Sequence, residues 1–378
     1  LVDNSHSFSS MSAVISPPDI RPGRLCRGLV HGNLASCFIQ EAARQVYVSK
    51  NMKRVVGASA FATALGSSRR AAHARPRRPT AGRTATANMK EAVCLIRIED
   101  GELAVNEVGL IALKESLQAS HCDEFAVISI AGASRQGKSF FLDLFARYLG
   151  SPDNWLPDSL AEQRFQWRSG MDRVTEGVWV CPEVFHGQTT ENGSRGIVLV
   201  DTQGAYEPGC SRWCSNALLG LAGFLSSRLL FNVSKQLQGD IVEGMQVAME
   251  LMKMSCRYKG LPEPAASSQL TFLVRDWAHG SEFKEDESPD TVQALPMTSQ
   301  EREVLANFVH STTAGQGLCG FFSSTDCCTL PHPGHIDRPS WTGASAELSG
   351  EFLQKCQKVF SFLAHAPCGS GGSFSLEA

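Results

Sequence analysis

The sequence predicts an α/β domain with a mostly parallel central sheet flanked by helices. Three observations carry this. From about Ala92 onward, short β-branched runs alternate with stretches whose apolar residues recur at helical spacing. One run, FAVISIA, leads into the Gly-rich octapeptide GASRQGKS at 132–139, and KSFFLDLFARYL follows with helical periodicity. Two later strands close on DTQG at 201–204 and RDW at 275–277. Parallel sheets gather their ligands at such strand ends.

The elements follow in order. CLIRIE reads as a strand and NEVGLIALKESLQ as a helix. The FAVISIA strand and its helix come next, then a polar stretch around FQWRSGMDRVTEG. VWVCPEVF and GIVLVDTQG read as strands, ALLGLAGFLS as a helix, RLLFNVS as a strand. IVEGMQVAMELMKM reads as a helix and QLTFLVRDW as a strand. Two helical stretches, near 300–313 and 345–365, are separated by CCTLPHPG.

Charge divides the chain. Residues 1–92 hold 14 basic and 4 acidic side chains, leaving 21 basic and 34 acidic in the remainder. From Ala42 to Lys90 there is no acidic residue and there are 11 Lys and Arg. Such a stretch buries little apolar surface and reads as a basic, disordered segment spanning 1–90. It is either a solvated linker or, from Met52 to residue 90, an organelle transit peptide, which would leave 1–51 upstream of the true start. Its charge implies only nonspecific attraction to acidic lipid or nucleic acid. The folded domain is expected over 91–366, with a flexible tail at 367–378. No run reaches 18 apolar residues, so no membrane span is expected. The 13 cysteines form no C-x-x-C pair and no zinc spacing, and read as scattered buried thiols of a reducing compartment. Asn192 and Asn232 fit the N-x-S pattern and read as accidental matches.

GASRQGKS has the form G-x-x-x-x-G-K-S, and a strand before it with a helix after it is the context of a P-loop NTPase. Gly132 and Gly137 permit backbone angles that a Cβ forbids. Loop amides then converge on phosphate at a helix N-terminus. Lys138 reaches the β- and γ-phosphates, and Ser139 offers its hydroxyl to Mg²⁺. Asp201, at the end of an apolar strand, approaches the same Mg²⁺, and the Gly204 amide can meet the γ-phosphate. Thr175, in RVTEGVW, is either a second Mg²⁺ hydroxyl on a loop that senses the γ-phosphate or an ordinary residue leading a strand.

The tetrapeptide N-K-x-D, by which most GTPases read guanine, is absent. FLVRDW stands in its place, where Asp276 can accept from guanine N1 and its exocyclic amine, and Arg275 can stack on or flank the base. The alternative is an Arg–Asp surface pair. Arg135, inside the loop, suits a residue that offsets charge developing on the transferring phosphoryl group; the alternative is a solvent-facing loop arginine. The candidate nucleotide-binding set is Gly132, Arg135, Gln136, Gly137, Lys138, Ser139, Phe140, Gln203, Gly204, Arg275 and Asp276. The candidate metal set is Ser139, Thr175 and Asp201. Arg135, Lys138 and Thr175 are the candidate catalytic residues.

Together GASRQGKS, RVTEGVW, DTQG and FLVRDW, with SFFLDLFARYL, FQWRSG, FNVS and LPHPG, resemble the large GTPases of the dynamin superfamily, of the guanylate-binding-protein and atlastin type. The likeness runs from about Glu91 to Ala364 and is nearer to the atlastins. It implies GTP hydrolysis with Mg²⁺, an internal arginine finger at Arg135, and a homodimer formed through the GTPase domains across the nucleotide. It also implies a role in tethering and fusion at the cytoplasmic face of the endoplasmic reticulum. The bundle, membrane helices and amphipathic tail of atlastins have no counterpart in the sequence given, and HIDRPSW, after LPHPG, does not match the guanine-capping stretch residue by residue. Two other readings stay open: a nucleotide-gated dimerising module with little turnover, and ATP-dependent chemistry on another P-loop fold.

Overall fold

The computed structural model describes residues 91–99, 102–167, 176–187, 194–205, 211–237, 239–259, 268–278, 297–311, 313–334, 336, 341, 343–365 and 373–375. The basic segment 1–90, Thr175, Asn192, Cys210 and most of HIDRPSW lie outside these residues.

Ten strands and seven α-helices are described: β1 (Val93–Glu99), β2 (Glu102–Val105), α1 (Glu107–Ala119), β3 (Glu124–Gly132), α2 (Lys138–Gly150), β4 (Val178–Val180), β5 (Phe185–His186), β6 (Arg195–Thr202), α3 (Arg212–Leu225), β7 (Arg228–Ser234), α4 (Gly239–Lys259), β8 (Gln269–Arg275), α5 (Ser299–Ser311), α6 (Thr313–Cys319), β9 (Ser324–Leu330), α7 (Gly350–His365) and β10 (Ser373–Ser375). One sheet holds all ten strands in the order β2-β1-β4-β6-β3-β7-β8-β9, with β5 on β6 and β10 on β3. The block β6-β3-β7-β8-β9 is parallel throughout. β1, β2 and β4 extend it antiparallel.

Both faces of the parallel block are covered, so its strands are apolar on both sides. Ile128 and Ile130 of β3, Leu230 of β7 and Leu273 of β8 face a layer built by α2 and α7. There Phe141, Phe145 and Trp155 close on Phe360 at 5.1–5.6 Å between ring centroids. Phe231 and Phe272 face the opposite layer, where Phe272 meets Phe308 of α5 at 5.4 Å. Ser211 caps α3 by accepting from the Cys214 N–H at 3.1 Å.

Several elements differ from the sequence expectation. CCTLPHPG does not merely separate two helices, because Cys327 and Cys328 lie within β9. The two thiols point to opposite faces and are both fully buried, so they act as small apolar residues in a strand without an aliphatic run. VWVCPEVF is two short strands, since Pro182 has no N–H to donate to β6 between them. The stretch expected as a tail contributes β10, which pairs with Glu124–Ala126 of β3 before β7 joins that side at Ile128. β2 and α6 carried too little apolar periodicity to be read.

Burial pushes the Cys181 thiol up to about 12 and raises those of Cys327, Cys328 and Cys356 further, so these cysteines are neutral packing groups. Asn232 is fully buried, and its side-chain amide donates to the Gln136 carbonyl at 3.0 Å, so the folded domain offers no glycan acceptor there. No described helix is long and apolar enough to cross a membrane.

A buried ion pair fastens α5 and α7 to the edge strand β9. The Lys355 ammonium lies 2.8 Å from Glu301 Oε1. That oxygen also accepts from the Thr329 N–H at 2.7 Å and the Thr329 hydroxyl at 2.9 Å. Oε2 accepts from the Thr298 N–H at 2.9 Å and completes a capping box at the start of α5. Burial opposes the charge on Glu301, but Lys355 and these donors outweigh it and hold its carboxyl below the ordinary value. Burial also opposes the charge on Lys355, and with Cys328 held as a neutral thiol it is Glu301 that carries the ammonium above its ordinary value. The carboxylate's contribution is therefore complete above its unfolded pKa and disappears as pH falls through the lowered folded value. The ammonium's is complete below its unfolded pKa and disappears as pH rises through the raised one. Glu301→Gln is expected to cost about 3–5 kcal/mol in denaturant unfolding near neutral pH, with much of the loss recovered by adding Lys355→Met. The gap between wild type and Glu301→Gln should close on acidification; a gap independent of pH would show that the pair is not what Glu301 contributes.

Candidate functional site

Parallel register brings four strand ends to one edge of the sheet. Ile130 of β3 pairs with Asp201 of β6, Gly132 with Asn232 of β7, and Ser234 of β7 with Arg275 of β8. The Gly-rich loop leaves β3 at this edge and returns as α2.

The loop turns through three positive φ values: Gly132 at 139°, Arg135 at 60° and Gly137 at 67°. A Cβ on Gly132 would stand 2.1 Å from the Asn232 carbonyl oxygen. A Cβ on Gly137 would stand 2.1 Å from Nη1 of Arg275. Gly132 is therefore closed to any side chain by backbone approach as well as by φ, and at Gly137 a Cβ is disfavoured by φ and would displace the Arg275 guanidinium. Lys138 is nearly buried, and its Nζ donates across the loop to the Ala133 carbonyl at 2.7 Å. Gly137 stands at the N-cap of α2, so the first-turn N–H groups behind it have no partner inside the helix and present a positive dipole end. Arg135 is exposed.

The Ser139 hydroxyl donates to Asp201 Oδ2 at 2.5 Å. The two candidate metal residues within the described chain are thus already adjacent. Past Asp201, β6 ends on Thr202, whose hydroxyl donates to the Ile130 carbonyl at 2.8 Å. The segment then runs beside the loop: the Ala205 N–H donates to the Gly132 carbonyl at 3.0 Å and the Ser134 N–H to the Ala205 carbonyl at 3.3 Å. Gly204 is required here, since a Cβ would meet Ser134 Cα at 2.2 Å. Gln203 is buried and turned toward the entry of β4, where its Oε1 accepts from the Gly177 N–H at 2.9 Å. It holds the described chain two residues after Thr175 against the end of β6.

Asp276 follows β8 with φ 56°, and its Oδ2 accepts from the Ser234 hydroxyl at 3.2 Å. Lys235 follows β7 with φ 69°, and its N–H donates to the Arg275 carbonyl at 2.6 Å. Arg135, Lys235 and Asp276 make three of the four non-glycine residues with positive φ among those described, and all lie at this edge. Strained backbone is retained where the surroundings over-determine it, as they do at binding sites.

Two candidates are placed otherwise than their residue type suggested. Arg275 does not project toward a base: it is turned under the loop, and its Nη1 donates to the carbonyls of Gln136 at 2.9 Å and Gly137 at 3.0 Å. Burial lowers its pKa, against the nearby Asp276 carboxylate. Phe140 is committed to the core, edge-on to Trp167 at 5.0 Å and to Trp341 at 6.0 Å, so only its backbone can serve the loop. Trp341, from HIDRPSW, stacks on Trp167 at 5.3 Å in the same cluster. Sequence reasoning missed Asn232 and Ser234. Both sit in FNVS at alternate strand positions, polar residues in an otherwise apolar run, and that pattern was the available signal.

The site as built offers a helix N-terminus, a lysine, a hydroxyl–carboxylate pair and a second carboxylate at one sheet edge. Residues 100–367 match the model of the guanylate-binding protein N-terminal domain, about 71% of the chain. The chain is similar to atlastin-1 of Mus musculus, 28% identical over 280 residues, covering 71% of this chain and 48% of that protein. It is similar to atlastin-3 of Homo sapiens, 29% identical over 254 residues (64% and 45%), and to atlastin-2 of Xenopus laevis, 28% over 271 residues (68% and 45%). The chain thus spans about half the length of the curated relatives it matches. It belongs to the guanylate-binding-protein and atlastin family of dynamin-like large GTPases.

Proposed function

We propose that this chain binds GTP with Mg²⁺ and hydrolyses it to GDP and phosphate, using Arg135 as a finger supplied from its own loop. The observation that carries the reading is the Ser139–Asp201 hydrogen bond at 2.5 Å beside the Lys138 ammonium, at the N-terminus of α2. A hydroxyl and a carboxylate are hard oxygen donors, which suit Mg²⁺, an ion that takes few protein ligands and completes its shell from phosphate and water. Ser139 and Asp201 would hold the ion, with Thr175 as a further ligand. When bound, it neutralises charge on the β- and γ-phosphate oxygens.

The chain's residues then divide the work. The loop amides and Lys138 bind the phosphates. Asp276, oriented by Ser234, accepts from the guanine N1–H and exocyclic amine. Water attacks the γ-phosphorus, the bond to the β,γ-bridging oxygen breaks, and GDP leaves with the electron pair. Arg135 meets the charge that accumulates on that oxygen and on the transferring group. It is exposed on a strained loop residue, so productive placement requires it to turn inward. A homodimer joined across the nucleotide would supply that constraint. For the whole protein we extend the atlastin likeness to tethering and fusion of endoplasmic reticulum membranes from their cytoplasmic face.

Phosphate release by the purified full chain, with GTP and with ATP over a range of protein concentrations, tests the core of the reading. Release specific to GTP and rising per molecule with concentration is expected. Equal turnover of ATP would remove Asp276 as the base reader, and GTP binding without release would leave a nucleotide-gated module in place of an enzyme. Chelation of divalent cations should stop release. Arg135→Ala should lower turnover on the order of 10³-fold while leaving GDP affinity within a few fold; turnover that survives the change would return Arg135 to an ordinary surface residue.

A further inference from the structure

We infer that Arg275 and Asn232 are positioning residues that aim the phosphate-facing amides of the loop, and that Arg275 serves the phosphates rather than the base; this rests on the nucleotide-binding reading above.

The geometry is two-sided. β8 ends at Arg275, and the positive φ of Asp276 reverses the chain there. The Asp276 carboxylate goes to Ser234, while the Arg275 side chain passes beneath the loop. Nη1 of Arg275 donates to the Gln136 carbonyl at 2.9 Å and the Gly137 carbonyl at 3.0 Å. Nδ2 of Asn232, from β7, donates to the same Gln136 carbonyl at 3.0 Å. Asn232 is fully buried and Arg275 is 5% exposed.

Peptide planarity converts these contacts into a statement about donors. In a trans peptide the C=O and the N–H of one unit point in opposite directions, and the described chain has no cis bond. Drawing the Gln136 carbonyl down onto Arg275 and Asn232 turns the Gly137 N–H up, away from the sheet edge. The Gly137 carbonyl, held by Arg275 and by the first helical bond from the Phe141 N–H at 3.0 Å, does the same for the Lys138 N–H. These two N–H groups stand at the N-cap and first position of α2, where the helix supplies no acceptor. A nucleotide phosphate placed above the loop would accept from both. Gly137 completes the arrangement, because only a residue without a Cβ lets the guanidinium come this close.

The inference separates phosphate affinity from base selection. GMP lacks the β-phosphate, and IDP lacks the exocyclic amine that Asp276 reads. Affinities of the full chain for GDP, GMP and IDP, in wild type, Arg275→Gln, Arg275→Lys and Asn232→Ala, test it. Arg275→Gln should weaken GDP about 30-fold, as expected for loss of charge-assisted hydrogen bonds. It should weaken GMP less than about 3-fold and leave the GDP:IDP ratio unchanged. Arg275→Lys should recover part of the loss, and Asn232→Ala should repeat the pattern more weakly. Asn232→Ala also serves where Arg275→Gln lacks a cooperative melting transition. Equal losses for GDP and GMP, a collapsed GDP:IDP ratio, or unchanged GDP affinity in both Arg275→Gln and Asn232→Ala would each overturn the inference. Failure of the wild type to bind GDP at all would instead overturn the nucleotide-binding reading on which it rests.

Discussion

A guanidinium lies buried beneath the phosphate-binding loop, and the loop closes over it because residue 137 carries no Cβ. Much of the site's geometry depends on this contact. It holds the carbonyls of Gln136 and Gly137 against the sheet edge, and so holds the start of α2 in register with β7 and β8. The parallel pairing of Ser234 with Arg275 fixes where the guanidinium enters, and the reversal at Asp276 sends the neighbouring carboxylate to the open side. A single dipeptide thereby ties the Ser234 end of β7 to the Gly-rich loop.

The parts of this design legible in the sequence are those carried by local pattern. GASRQGKS between an apolar strand and a helix announced its own local fold, because the loop's backbone needs glycine at 132 and 137 wherever it occurs. The apolar runs of β3, β6, β7 and β8 were equally plain, since a parallel strand covered on both faces is apolar over most of its length. Long-range partners were not legible. Nothing local says that Arg275 meets carbonyls 138 and 139 residues earlier in the chain, and an arginine beside an acid reads as a surface pair or a base contact. Asn232 was dismissed as a chance N-x-S match, although a polar residue inside RLLFNVS could remain there only with a buried partner. Phe140 shows the converse. Its place after Lys138 and Ser139 suggested contact with the ligand, but helical rotation turns the residue into the aromatic layer with Trp167 and Trp341. β9 escaped notice because its core residues are cysteines, whose burial depends on neighbours that the local sequence does not name.

The site combines fixed and exposed components. Lys138, Ser139, Asp201 and Arg275 are held by hydrogen bonds to one another or to the loop, so their placement costs little when a ligand arrives. Arg135 is exposed, on a residue whose backbone angle is itself unfavourable for arginine. On the proposed mechanism Arg135 acts only in the transition state, and such a group gains from exposure in the ground state. If it were clamped on the ground-state triphosphate, its interaction would strengthen substrate binding without lowering the barrier.

Two buried arginines on neighbouring strands show how differently the same group can be used. Arg228 sits at the opposite edge of the parallel block, where Nη1 donates to Asp326 at 3.0 Å and to Thr271 at 2.9 Å. Its guanidinium also lies over the Phe362 ring at 4.8 Å. The carboxylate neutralises it, so the group links β7, β8, β9 and α7 without leaving a net field. Arg275 hydrogen-bonds to carbonyl oxygens, which satisfy donors but carry no net charge. A positive charge in a poorly solvated position is felt more strongly by its surroundings than one in water. Burial opposes that charge and lowers the Arg275 pKa, against the nearby Asp276 carboxylate. A phosphate placed above the loop offsets it. The same residue that aims the amides thus makes the position above them favourable for an anion, through charge and through geometry, from beneath a backbone that keeps the guanidinium and the ligand apart.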